Sequence, residues 1–429
     1  MKKQFGACGS IEHEMARRQF LGGMMAGSAV IGGLSSFTTQ EALAGLAKEQ
    51  KRMIVVRMAG GLSQLESWDP KPNTDTGGPF RAIPTSVPGT HICELLPYTA
   101  KQMHHLCLVR GINTHNGDHG KGTYMMLTGR HRAPGQTYPE LGAVVAKGMD
   151  DGTQSLPGHI KVSTGGSGGR NNDSAYLGPK YASISLGGGK PPAYTERPKN
   201  LSEVSIARAD AFRKATNKHF SGKRRTAETE AYVQSFEQAQ ELVKRRDVFD
   251  LSKESKKDHE RYGPHDFGKH CLLARRLVEK GINYVQVEHS NYDTHNENFE
   301  FHFEQLGEFD RPFATLVNDL AERGLMKSTL IVVLSEFGRT PKINPRYGRD
   351  HWGTAWSVAL GGCGITPGAT FGKTNKNGTA VTDDQVDAGH LFHTYLKALG
   401  MNSRRSFKIG GQKIPVADPA FEPIKEILA

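Results

Sequence analysis

Between Gly281 and Trp352 the chain carries two short apolar runs, Tyr284–Val287 and Leu330–Leu334, separated by a polar, amphipathic stretch over Phe299–Arg323. Short continuous apolar runs read as strands buried on both faces, which is the condition of a parallel sheet. Parallel strands need a long crossover, and the amphipathic stretch supplies it as a helix. This predicts an α/β fold in which parallel strands are joined by a βαβ crossover. Each run ends in acidic and imidazole side chains: Asp293 and His295 after the first, Glu336 after the second, with Asp350 and His351 on the next loop. Sites in open α/β sheets form outside the carboxyl ends of the strands. Carboxylates and imidazoles gathered there suit a divalent metal such as zinc, manganese or calcium.

Two further strands are expected to feed the same edge. Arg52–Met58 runs into AGGLSQLESWDPKP, where Asp69 either lines the site mouth or makes an Asp-Pro turn with no chemistry. Leu106–Arg110 runs into GINTHNGDHGKG, which concentrates His115, Asp118 and His119 among glycines that let backbone N–H groups approach an anion. Asp69, His115, Asp118 and His119 are therefore the candidates for a second metal or a substrate. After His351, Trp352–Leu360 reads as one more strand. GGSGG at 165–169 and GGGK at 187–190 read as loops, and neither fits a phosphate-cradling GxxxxGK[ST] motif. From about Asn200 to Lys280 the chain is charged and helical, and Arg275 and Arg276 are expected on a solvated face. His390 and His393 share a helix face without an HExxH pattern, so packing is expected of them.

The first 44 residues read as a targeting segment. Arg17 and Arg18 precede the weakly apolar run GGMMAGSAVIGGL, and Ala42-Leu43-Ala44 offers a small-x-small cleavage site. The arrangement resembles a twin-arginine export signal, with a mature chain beginning at Gly45 in the periplasm or outside the cell. The run is shorter than the ~20 apolar residues a membrane-spanning helix needs. Four basic residues stand against three acidic ones in this segment, so nearly all of the net charge of +11 stays with the remainder. Such a surface attracts anionic esters or acidic polysaccharide. Nucleic acid is not expected, because there is no zinc-finger spacing and no basic-aromatic interleaving. The remaining cysteines, Cys93, Cys107, Cys271 and Cys363, are open to disulfide pairing or to burial as free thiols.

LTGR at Leu127–Arg130 resembles the end of the signature segment of the alkaline phosphatase and sulfatase superfamily. VVLSEFGRTP, NYDTH and GRDHW are similar to three of its metal-binding segments. Taken together, GGLSQLESWDPKP, LLARRLVEKG, YDTH and SEFGRTP more closely resemble a secreted family of that superfamily, domain of unknown function 1501. The resemblance covers about Lys51 to Gly400 and implies one α/β, alkaline phosphatase-like domain over 45–429, with a parallel-rich central sheet sandwiched by helices, descended from a metal-dependent hydrolase. Gly60 stands where the superfamily has an aspartate, His119 where it has its nucleophile, and Glu336-Phe337 where it has an aspartate-histidine pair.

Two functions emerge as expectations. In the first, the protein is a metal-dependent hydrolase of phosphate, sulfate or related esters. Asp293, His295 and His351 would hold the ion, with Glu336 or Asp350 completing the shell. His119 would serve as general base or nucleophile, and Arg339 or Arg130 would neutralise a developing oxyanion. Arg130 is the more structural of the two arginines. In the second, the protein is a non-catalytic binding or scaffolding protein on the same fold.

Overall fold

The computed structural model describes residues 50–150, 156–187, 190–192, 195–196, 200–223, 227–409 and 411–429. The expected export segment and the Gly188–Gly189 part of the GGGK loop lie outside them. Eleven strands build the central sheet and the small ribbon beside it: β1 Arg52–Met58, β2 Leu106–Ile112, β3 His159–Val162, β4 Ser167–Arg170, β5 Ile184–Leu186, β6 Tyr284–His289, β7 Thr329–Leu334, β8 Gly338–Arg339, β9 His351–Trp352, β10 Trp356–Gly362 and β11 Thr370–Phe371. Among the described residues, nine of these form one sheet in the order β11-β2-β10-β7-β1-β6-β3-β5-β4. β10 runs antiparallel to β7 and β2, and β4 antiparallel to β5, while the remaining pairings are parallel.

β1 lies at the centre because its sequence, RMIVVRM, suits burial on both faces. It pairs with β6 from Met53↔Tyr284 to Met58↔His289 and with β7 from Arg52↔Thr329 to Arg57↔Leu334. Ile54, Val56 and Met58 face a core shared with the helices Asp266–Glu279 and Asn298–Glu322, while Met53 and Val55 face a second core. That second core is shared with the helices His119–Thr128, Leu141–Gly148 and Ala388–Ala398. Helices therefore cover both faces, as the sequence implies. Three of these helices are, in chain order, α1 His119–Thr128, α2 Asp266–Glu279 and α3 Asn298–Glu322. α3 carries the crossover from β6 to β7, which straddle β1.

Three local expectations are corrected. Trp352–Leu360 is not one strand. His351–Trp352 turns aside to pair with Gly338–Arg339, and the sheet strand resumes at Trp356. The GGSGG stretch is not wholly a loop, since Ser167–Arg170 forms the edge strand β4. Arg275 and Arg276 on α2 are buried rather than solvated. Arg275 pairs with Asp319 at 3.0 Å and with Glu254, and Arg276 with Glu254 at 2.6 Å, so the charge run knits helices together. The four cysteines in the described residues are buried free thiols. No described helix is long and apolar enough to cross a membrane.

Candidate metal centre

The strands that run parallel to β1 bring their following loops to one edge of the sheet. The loop after β1 carries Gly60, that after β2 leads into α1 and His119, that after β6 carries Asp293 and His295, and that after β7 carries Glu336. β10 runs the other way, so the chain just before it, with Asp350 and His351, reaches the same edge.

Two glycines set how closely these loops meet. Gly60 has φ +118°, and a Cβ there would lie 2.5 Å from the Asp293 backbone nitrogen. Only glycine fits, which gives a structural reason for Gly60 where the superfamily resemblance expects an aspartate. A Cβ on Gly122 would lie 2.7 Å from the Glu336 carbonyl oxygen, so this glycine lets the first turn of α1 press on the end of β7.

Three imidazoles converge on Asp293. His119 Nε2 lies 3.3 Å from Asp293 Oδ2, and His351 Nε2 and His295 Nε2 lie 3.1 and 3.2 Å from Asp293 Oδ1. His295 Nε2 and His351 Nε2 are themselves 3.0 Å apart. The other nitrogen of each ring faces an acceptor. His119 Nδ1 meets Glu336 Oε1 at 2.9 Å, His295 Nδ1 meets Asp350 Oδ1 at 2.7 Å, and His351 Nδ1 meets the Gly117 carbonyl at 2.6 Å. These acceptors fix each proton on Nδ1, so in the neutral rings every Nε2 presents a lone pair toward Asp293. Lone pairs of two imidazoles and a carboxylate at about 3 Å repel one another unless a positive centre lies among them. That centre is either an extra proton on a ring or a metal cation. Ligands at about 2.0–2.1 Å from a tetrahedral ion lie about 3.3 Å from each other, close to the spacings seen here. His119, Asp293 and His351 form a group whose ligand atoms all lie within 4.8 Å of one another. His295 adds a second trio on the Asp293–His351 edge.

The carboxylates divide into two roles. Asp293 is half exposed, and its carboxyl is held well below the usual range. Partial burial opposes ionisation, but the hydrogen bond and the charge of Arg339 outweigh it. Asp350 is also held below its ordinary range, chiefly by its bond to His295. Glu336, by contrast, is buried behind His119. It accepts from the Gly60 N–H at 2.9 Å and the Ser335 hydroxyl at 3.3 Å, with Arg57 3.8 Å away. Glu336 and Asp350, both expected from the sequence as ligands, thus each lie behind a histidine ring. Phe337 is buried at the expected aspartate-histidine position. Its ring backs His119 at 4.8 Å and His351 at 4.4 Å between centroids.

Arg339 is fully buried. It donates to Asp293 Oδ1 at 2.6 Å, to the carbonyls of Gly61 and Arg349 at 3.0 Å each, and to the Gly60 carbonyl. It ties three loops together rather than aiming free donors at an oxyanion. Arg130 donates to the Pro415 carbonyl at 2.8 Å and pins its loop. Asp69 lies buried away from the cluster, paired with Lys71 at 2.9 Å and accepting from Thr374. Asp118 caps α1, accepting from the Lys121 N–H at 2.8 Å. His115 is exposed, with φ +50°, and its N–H donates to Asn113 Oδ1. His390 completes the cap at Asp387, and His393 bonds Ser403 Oγ and the Asp418 carbonyl.

One supporting pair was missed from the sequence. Glu66 and Arg349 are both fully buried, bonded at 2.8 Å. Arg349 also donates to the carbonyls of Thr340, Pro341 and Thr76, and Asn298 donates to Glu66. The signal was present: an acidic residue inside the apolar GGLSQLESW segment and an arginine directly before Asp350-His351.

The model of the family described as protein of unknown function (DUF1501) matches residues 50–428, and the chain belongs to that family. No curated protein matches the sequence. Among solved structures, the chain is similar to the PsFucS1 sulfatase from Pseudoalteromonas sp., at 13% identity and a TM-score of 0.39, covering 85% of this chain and 72% of that one. It is similar to the C-terminal periplasmic domain of EcEptC from Escherichia coli, in complex with Zn, at 9% identity and a TM-score of 0.38, covering 86% and 87%. A protein in the alkaline phosphatase superfamily from Vibrio parahaemolyticus matches at 10% identity and a TM-score of 0.34, covering 82% and 67%.

Proposed function

We propose that this DUF1501 protein holds one divalent cation between Asp293, His351, His295 and His119, and acts on phosphate, sulfate or related esters after twin-arginine export. One observation carries the reading: three Nε2 atoms face one carboxylate while every Nδ1 faces its own acceptor. The donors fit such an ion, and their nitrogen-rich composition favours zinc over calcium. When bound, the ion would polarise an ester oxygen and lower the pKa of a neighbouring water.

The chain's own residues do the holding. Glu336, Asp350 and the Gly117 carbonyl orient the three rings, and Arg339 fixes Asp293 against the β1 loop. The half-exposed Asp293 leaves the cluster open to solvent on one side.

A second reading, binding of an anionic ester without turnover, has its own support. His119, at the expected nucleophile position, is held by Glu336 on one nitrogen and faces Asp293 with the other. The test is turnover of a panel of phosphate and sulfate esters by the zinc- or manganese-loaded mature chain, beside Asp293→Ala. Turnover present in the wild type and lost in a folded variant supports the hydrolase. A loaded wild type that binds these esters and turns over none leaves the binding reading in its place.

A further inference from the structure

We infer that the metal cluster is flanked by two subsites for an anionic glycan chain: a basic groove beside His119 and an aromatic platform beside His295. The inference rests on the reading of the cluster as an anionic ester site and deepens it from a small ester to a polymer.

The groove has a volume of about 730 Å³ and is lined by Asn116, Lys121, Met125, His131, Arg132 and Gln136, among others. It adjoins the cluster through the chain itself. Lys121 lies two residues beyond His119 on α1, and Asn116 precedes Gly117, whose carbonyl holds His351. Among the described residues neither Lys121 nor Arg132 has a carboxylate within ion-pair distance, and His131 alone has one, Asp387 at 3.7 Å. The wall is therefore cationic and open, which suits a sulfate or carboxylate group on a sugar next to the reacting one.

The platform stands beside His295. The loop 344–350 wraps His295: Asn344 donates to the His295 carbonyl at 2.9 Å, and Asp350 bonds its ring. Tyr347 stands in this loop, 66% exposed, with φ +54°. Its carbonyl accepts from the Asn298 N–H at 3.0 Å, at the start of α3, which carries the 44% exposed Phe301. A solvent-facing ring held by a braced loop offers an apolar face to a sugar ring. A cationic slot next to His119 and an aromatic face next to His295 suit a chain that reaches both from the cluster, more than a small ester that reaches neither. The charge favours an anionic chain, and the ring favours a glycan over polyphosphate.

The test is binding of dextran sulfate, polyphosphate and neutral dextran to the full mature chain at physiological salt, where diffuse attraction to the net positive surface is screened. Lys121→Gln/Arg132→Gln is expected to weaken dextran sulfate by about tenfold. Tyr347→Ala is expected to weaken dextran sulfate by about threefold or more and leave polyphosphate unchanged. Lys397→Gln/Arg404→Gln, in a separate basic pocket near the C-terminus, is expected to change neither. Equal losses in that control pair, no loss in the groove pair, or polyphosphate binding as tight as dextran sulfate would each overturn the inference. Metal content is measured on the same preparations. Polymer bound through these residues by a chain that holds no ion upholds the subsites and sinks the ester-site reading. An ion held without any loss of polymer affinity in the variants overturns the subsites alone.

Discussion

Replacing Arg349 by methionine should cost the fold more than any exposed change and should loosen the cluster at the same time. Arg349 and Glu66 are both fully buried and bonded at 2.8 Å. Burial opposes ionisation of Glu66, and the guanidinium of Arg349 is the largest influence holding its carboxyl below the ordinary range. Methionine fills similar volume but leaves that carboxylate with Asn298 and nearby dipoles only. Removing one partner of a buried pair costs about 3–5 kcal/mol. The carbonyls of Thr340, Pro341 and Thr76 also lose their donor, at about 1 kcal/mol each where water cannot replace it. A loss of about 4–6 kcal/mol is a large part of the 5–15 kcal/mol that holds a typical domain together. The assay is guanidinium unfolding followed by fluorescence, with the slope checked for constancy. Adding Glu66→Leu should recover part of the loss, because no charge is then left unpaired. An Arg349→Met midpoint corresponding to less than about 1 kcal/mol, or a double variant less stable than the single, would refute the reasoning.

Gly60→Ala should destabilise the chain by about 1–3 kcal/mol and lower its metal content, because a Cβ at φ +118° meets the Asp293 nitrogen at 2.5 Å; unfolding midpoints and metal analysis read both. Glu336→Gln should leave the fold in place yet weaken zinc affinity by about 10–100-fold through lost orientation of His119, measured by competition with a chromophoric chelator. Acid should destabilise the protein early. Burial pushes His159, His270, His289 and His302 each down to about 4, so the unfolded chain binds their protons first as pH falls from about 6.5. Stability present above that pH should fall between about 6.5 and 4, and an unfolding midpoint that stays flat from neutrality to pH 5 contradicts it.

The fold was legible because its strands announce themselves. Arg52–Met58, Tyr284–Val287 and Leu330–Leu334 are continuous apolar runs, and the helix between the last two follows from their running parallel on either side of the first. Which side chains gather at the sheet edge was legible for the same reason, since Asp293, His295, Glu336, Asp350 and His351 all flank strand ends. Their division of labour was not. A sequence shows a carboxylate near a histidine but not which ring nitrogen it faces, and that decides whether Glu336 and Asp350 bind an ion or orient a ring. Arg275 and Arg339 misled for a related reason. Residue type suggests a solvated face or a free cation, while burial against Asp319, or against backbone carbonyls and Asp293, is a tertiary outcome. The Glu66–Arg349 pair joins positions 283 residues apart, beyond the reach of local spacing. The break after Trp352 depends on its pairing with Gly338, which periodicity does not encode.

The central claim, that three histidines and Asp293 form a metal site, is tested most directly by the metal content of the chain from residue 45 onward. The protein would be purified without chelator or histidine tag, beside Asp293→Ala and His351→Ala. The expected result is about one tightly held divalent ion in the wild type, absent from both folded variants. A wild type that carries no metal, and takes up none when zinc, manganese or calcium is supplied, would contradict it. The lone pairs at Asp293 would then be reconciled by a proton alone.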